Sequence, residues 1–180
     1  MNTERIEHIC VKIFADWNGA NAEAAVPVFH RWIQEDACEE LLIDVVEYLH
    51  VEGGPGVILV GHEANYSLDF AGNRPGILYN RKTAVGGRFS AKLTQAYEAA
   101  KGAAARLEKE PEFEGRVRFD PRSFAIIVND RLLAPNTDDT WGALRPEIEQ
   151  FVREFVGLSA FTLRRSEDPR ERFAVEVRPA

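Results

Sequence analysis

The chain has 180 residues, 29 of them acidic and 22 basic, with a formal net charge of -7 and a pI near 5.2. A hydrophobic fraction of 45% supports a real core and excludes global disorder. No apolar run approaches the roughly 18 residues of a membrane span, and no basic stripe with interleaved aromatics suggests a nucleic-acid groove.

The opening Met1-Asn2-Thr3-Glu4-Arg5 has no apolar run leading to a small-residue cleavage site, so a cytoplasmic location is expected. Residues 9–15 read as a strand that ends in the turn Asp16-Trp17-Asn18-Gly19. Ala25, Val28, Phe29, Trp32 and Ile33 recur at helical spacing. Pro27 fits only a first turn, which predicts a helix from Val26 to about Cys38, with Trp32 in the core. Cys10 and Cys38 are too few for a disulfide scaffold and read as small buried hydrophobes.

Residues 41–51 and 57–63 read as two strands joined by Glu52-Gly53-Gly54-Pro55-Gly56. Facing Val51 with Val57 sets Tyr48 opposite Val60, Val46 opposite His62 and Glu47 opposite Gly61. One face then offers Ile43, Val45, Leu49, Val51, Val57 and Leu59 to the core. The other, with Val46, Tyr48, Ile58 and Val60, is too apolar for an ordinary solvated face and predicts a helix or a second chain against it.

Residues 65–70 and 76–82 form the next hairpin, around Ala71-Gly72-Asn73-Arg74-Pro75. Phe89, Leu93, Ala96, Tyr97, Ala100, Ala104 and Leu107 mark the clearest helix, which must end before Pro111. Residues 124–128 and 131–134 read as a hairpin turning at Asn129-Asp130. A helix follows through Ile148, Phe151, Val152 and Phe155, stopped by Gly157. Strands 160–165 and 172–178 close the chain, with Phe161, Leu163, Phe173, Val175 and Val177 inward and Arg164, Glu176 and Arg178 outward.

Short turns between strands imply antiparallel pairing. The fold class is therefore α+β: a single domain over 1–180, its twisted and mainly antiparallel sheet built from hairpins, with three helices packed on it. A hairpin, a polar loop and a helix recur at 57–110 and 123–157, a weak echo of internal duplication that aligns Arg131 and Asn136 with the segment 78–82. Trp17 and Trp141 lie in loops, where an aromatic caps a core, joins an interface or stacks on a ligand.

The chain contains no Gly-x-x-x-x-Gly-Lys-Ser/Thr, His-Glu-x-x-His, Cys-x-x-Cys or Gly-x-Ser-x-Gly motif. No cofactor is identified. The densest reactive set is His62 and Glu63 with Glu47 and Asp44. In the register above Glu63 is the diagonal neighbour of Glu47, at roughly 7–8 Å, a separation at which two carboxylates flank a water or share a proton. His62, on the opposite face, is diagonal to Asp44, an arrangement suited to a general base. His50 and His62 should stand more than about 10 Å apart, so no shared metal is expected.

Acids outnumber bases 11 to 3 in residues 1–60, including Glu35, Asp36, Glu39 and Glu40, whereas bases outnumber acids 11 to 8 in residues 61–122. Tyr79, Asn80, Arg81 and Lys82 end a strand just before the long helix and, with Arg88, form a candidate anion site. Arg131 and Asn136 would complete it if the two segments pack as equivalents. The first reading is a cytoplasmic binding or assembly protein, as a homodimer, with a small anionic ligand and with neither nucleic acid nor membrane as partner. The alternative is a small enzyme in which a carboxylate or His62 acts as general base and Arg81 stabilises developing negative charge.

Overall fold

Strand β1 (Ile9–Trp17) sorts the molecule into two faces, because successive side chains on a strand point to opposite sides. Ile9, Val11 and Ile13 point to the core, and Cys10, Lys12 and Phe14 point the other way. The computed structural model describes all 180 residues. The remaining strands are β2 (Leu42–Tyr48), β3 (Gly56–Gly61), β4 (Ala64–Asp69), β5 (Gly76–Arg81), β6 (Val117–Val128), β7 (Phe161–Arg165) and β8 (Ala174–Pro179). They form one eight-stranded antiparallel sheet in the order β2-β3-β4-β5-β1-β6-β8-β7.

Three helices pack on one face: α1 (Ala25–Gln34), α2 (Phe89–Leu107) and α3 (Asp138–Gln150). Helix α2 lies across the middle of the sheet, where Tyr97 meets Phe124 of β6 edge-on at 5.0 Å. Helix α3 continues into a wider turn, Phe151–Val156, which brings Phe151 to 5.5 Å from Tyr97 and ends at Gly157 with φ 82°. Helix α1 adds Val28, Phe29 and Trp32 to the same core of 37 buried residues. Its end is pinned from outside: the Trp32 indole donates to Glu110 at 2.6 Å, and Arg31 donates to Glu112 at 2.6 Å. Lys92 of α2, almost fully buried, donates to the carbonyls of Glu4 and Ile6 and pairs with Glu7, holding the N-terminal segment against the helix. No helix is long and apolar enough to cross a membrane.

The α+β class, the antiparallel sheet and the three helices stand as read from the sequence. So does the last hairpin: Phe173, Val175 and Val177 are buried, while Phe161 and Leu163 pack partly buried against the core. Helix α1 is shorter than expected, because Asp36 takes a left-handed φ of 49° and the N–H of Ala37 turns back to Trp32.

The β2–β3 register differs by four positions from the one expected. Tyr48 lies opposite Gly56, Val46 opposite Ile58 and Glu47 opposite Val57. Gly56 explains it: its φ is +67°, and a Cβ there would stand 2.1 Å from the Leu68 carbonyl, so β3 begins at a glycine tight against β4. The chain before it is used up in turns that bond Val51 to Tyr48 and Gly54 to Val51. A bulge between Leu42 and Asp44 turns Leu42 inward and leaves Ile43 55% exposed, where Ile43 was expected in the core. Strand β3 also stops at Gly61, earlier than expected, and His62-Glu63 is a two-residue turn into β4.

The hairpin expected across 124–134 does not form. Strand β6 begins at Val117 and carries an extra segment between Phe119 and Phe124, where Pro121 is tolerated because the ladder with β1 is interrupted. After Val128 the chain turns through Asp130, whose carbonyl accepts the N–H groups of Leu133 and Ala134. The resemblance between 57–110 and 123–157 thus loses its second hairpin.

No helix covers the remaining face of the sheet, although Val46, Ile58 and Val60 on it are half-buried. Its centre holds a buried ion pair, Lys12 with Asp69 at 2.5 Å, beside which the Arg74 guanidinium lies 3.6 Å over the Phe14 ring. Removing one member of such a pair leaves an uncompensated charge and costs about 3–5 kcal/mol, whereas an apolar replacement of both avoids this. Chemical denaturation should therefore show Lys12→Met as severely destabilised and Lys12→Met/Asp69→Leu as substantially recovered.

Asp130 ties the turn after β6 to the start of β1. Burial disfavours its charged form, but the N–H groups of His8 and Glu7, at 2.8 and 2.7 Å, and the His8 ring at 2.6 Å outweigh it and hold the carboxyl below its ordinary range. A depressed folded-state pKa means stability that is present above the unfolded value of about 3.9 and lost as pH falls through the folded one. Melting temperatures between pH 6 and pH 3 should fall less steeply in Asp130→Asn than in the natural chain; equal slopes would contradict this assignment.

Candidate functional site

Asp44 and Glu47 sit on β2, the outermost strand at its end of the sheet. Asp44 Oδ1 accepts the N–H of Val45 at 2.8 Å, and the Glu47 carboxylate accepts the N–H of Leu49. Glu47 is opposite Val57, four positions and about 13 Å along the strand from its end at Gly61, and Glu63 lies beyond that end in the turn. Asp44 is opposite Val60, and the backbone N–H of His62 bonds to the Leu41 carbonyl at 2.7 Å. The register thus separates Glu47 from Glu63 but leaves Asp44 within two positions of His62, and no hydrogen bond or ion pair joins any two of the four.

Strand alternation divides the segment 79–82. Tyr79 and Arg81 lie on the helix side, while Asn80 lies on the other, where its Oδ1 accepts from Cys10 Sγ at 3.2 Å and Asn129 Nδ2 at 3.1 Å. Arg172 braces Asn129 at 2.7 Å. Burial pushes the Cys10 thiol up to about 12, so it stays protonated at neutral pH. Lys82 Nζ donates to the Gly61 carbonyl. Arg88 is exposed just before α2, and Arg131 is exposed in the turn after β6. Asn136 is buried and donates to the carbonyls of Ser166 and Asp168, both at 2.9 Å, joining two loops. These cations and amides form no common anion pocket.

Tyr79 instead belongs to a site built around Glu40, which the loop between α1 and β2 delivers to the edge of the core. Glu40 is only 5% exposed. The β4–β5 register sets Tyr66 directly opposite Tyr79, with ring centroids 5.2 Å apart, and both hydroxyls donate to this carboxylate: Tyr66 at 2.6 Å and Tyr79 at 3.0 Å. Gln95 of α2 donates to the Tyr79 oxygen at 2.8 Å, with Arg81 behind it at 3.4 Å. A buried carboxylate needs such donors to replace lost water.

Burial drives both tyrosines away from ionisation. The Tyr66 hydroxyl is held far above its ordinary value, with Cys38 and Glu40 adding to the effect, and Tyr79 is pushed up to about 12 against the opposing influence of Arg81 and Gln95. Burial also raises the neighbouring Cys38 thiol to about 11, assisted by Glu40. Beside the carboxylate opens a cavity of about 440 Å³, bounded by Cys38, Glu39, Glu40, Tyr66, Glu98 and a face of α2 with small residues. Two donors occupy half of the roughly four acceptor positions of a carboxylate, so Glu40 retains acceptor capacity toward the cavity. No three His, Cys, Asp or Glu side chains converge as metal ligands.

The sequence reading named Tyr79 and Arg81 but passed over Glu40, Tyr66 and Gln95. The signal lay in the hairpin around 71–75, whose register aligns the two tyrosines. Compared with known protein families and with curated proteins, the chain matches none.

The raised thiols carry a direct consequence. Both cysteines should react with iodoacetamide at pH 7 far more slowly in the native protein than in urea, with Cys38 the faster of the two because it is less buried. Rapid native labelling of Cys10 in a mass-spectrometric time course would contradict the burial described.

Proposed function

We propose that this protein binds a small organic cation, an amine, in the cavity beside Glu40. The observation that carries this reading is a nearly buried carboxylate oriented by two tyrosine hydroxyls on the wall of an open cavity. Glu39 and Glu98 add two further carboxylates to that wall, and no basic side chain lines it. An ammonium group there finds a charge-assisted acceptor that is already positioned. Recognition fits better than proton transfer, because burial keeps Tyr66 and Tyr79 protonated and makes them fixed donors. The basic residues 81, 82 and 88, from which an anionic ligand was expected, are engaged with backbone or stand apart.

Titration calorimetry at pH 7 with n-butylamine, sodium butyrate and inorganic phosphate separates the alternatives. Butylammonium should bind saturably, and Glu40→Gln should weaken it at least tenfold. That substitution turns an amide N–H toward a tyrosine hydroxyl and should cost about 1–3 kcal/mol of stability. The exposed Glu98→Gln, which spares the buried network, should weaken binding several-fold. Saturable binding of butyrate or phosphate without the amine would overturn the proposal.

A further inference from the structure

We infer that the cavity beside Glu40 is one end of a longer groove that takes a short extended peptide with a free amino terminus; the inference rests on the amine site proposed above. A second cleft, of about 700 Å³, continues along α2 and shares Ala37 and Gly102 with the first. The join is low. A Cβ added at Gly102 would meet nothing within 4 Å, and the adjoining helix positions are Ala99, Ala103 and Ala105.

Residues 95, 98, 99, 102 and 106 share one helix face at spacings of three and four, so the groove follows the axis of α2 and reaches Lys109 in the turn that follows. The two ends differ in charge: the first carries Glu39, Glu40 and Glu98, the last of them paired with Lys101, whereas the second sets Arg31, Arg106 and Lys109 against Glu35, Glu110 and Glu112. At the second end Arg31 is committed to Glu110 and Glu112, and one nitrogen of Arg106 is bound to Glu35 at 2.6 Å. Arg106 Nε, however, is buried without a hydrogen-bond partner, its neighbouring carboxylate oxygen on Glu110 lying 3.8 Å away. Lys109 stands exposed beside it.

The spacing between the ends sets the length of the occupant. Glu98 and Arg106 are eight residues apart, about 12 Å along a helix, and Lys109 lies just past the end of α2. An extended chain covers about 3.3–3.6 Å per residue, so the ammonium and carboxylate of a peptide of about four residues span that distance. The amino terminus lies between Glu40 and Glu98 and the carboxylate at the partly exposed Arg106 side chain and Lys109. Short side chains suit the shallow join at Gly102.

The test compares tetra-alanine, its N-acetyl form, its C-terminal amide and n-butylamine by titration calorimetry on the full chain. Tetra-alanine should bind at least tenfold more tightly than n-butylamine; acetylation should remove at least tenfold of that affinity, and amidation several-fold. Lys109→Glu should weaken the peptide several-fold and leave n-butylamine unchanged. Gly102→Leu, which fills empty space with a good helix former, should weaken the peptide at least tenfold. Tetra-alanine that binds no better than n-butylamine, or that ignores Lys109→Glu and Gly102→Leu, overturns the groove and leaves the amine site standing. Failure of every amine to bind overturns both, and tight binding of the acetylated peptide overturns the assigned direction.

Discussion

A carboxylate placed among apolar side chains is tolerated only where hydrogen-bond donors replace the water it has lost, and Glu40 meets that requirement through Tyr66 and Tyr79. The rest of the molecule is arranged so that these three groups meet. The tyrosines come from adjacent strands whose pairing places them side by side. The second is oriented by Gln95, which requires α2 to lie across the sheet at that point. Glu40 itself arrives on a loop whose start is set by the left-handed Asp36 and whose end is set by the inward turn of Leu42. A slip of one residue between β4 and β5 would send one hydroxyl to the opposite face.

The sheet separates two kinds of polar chemistry. On the helix side the Glu40 network borders open space and retains acceptor capacity. On the other side the Lys12–Asp69 pair and the Cys10–Asn80–Asn129 cluster are satisfied internally and read as structural. The same strand contributes to both: Tyr79 and Arg81 turn one way and Asn80 the other. Proximity in sequence therefore gave the segment 79–82 the look of a unified site that its geometry does not form.

Much of the architecture was legible because hydrophobic periodicity is a local property. The α2 stripe from Phe89 to Leu107 and the alternation in the last hairpin needed no knowledge of distant residues. The candidate site depended instead on register, which is not local. In β2–β3 the outcome was decided by a glycine pressed against a neighbouring strand, a contact invisible in the segment itself. The hairpin expected at 129–130 failed for a similar reason: the carboxylate of Asp130 is recruited by Glu7 and His8, more than a hundred residues away. Glu40 was hidden in an acidic run whose other members are solvated or paired at the surface.

Asp44 and Glu47 acquire a different meaning from the one their chemistry first suggested. An outer strand with vacant amides is a template on which foreign chains can lengthen a sheet, and Ile43 of β2 and Leu41 just before it are displayed to solvent. Here the amide of Val45 is already taken by Asp44, and that of Leu49 by Glu47. An intruding segment would have to strip away these internal acceptors and settle beside two negative charges before its own ladder could start. The carboxylates that resembled a reaction centre thus act as wardens against fibril-like growth.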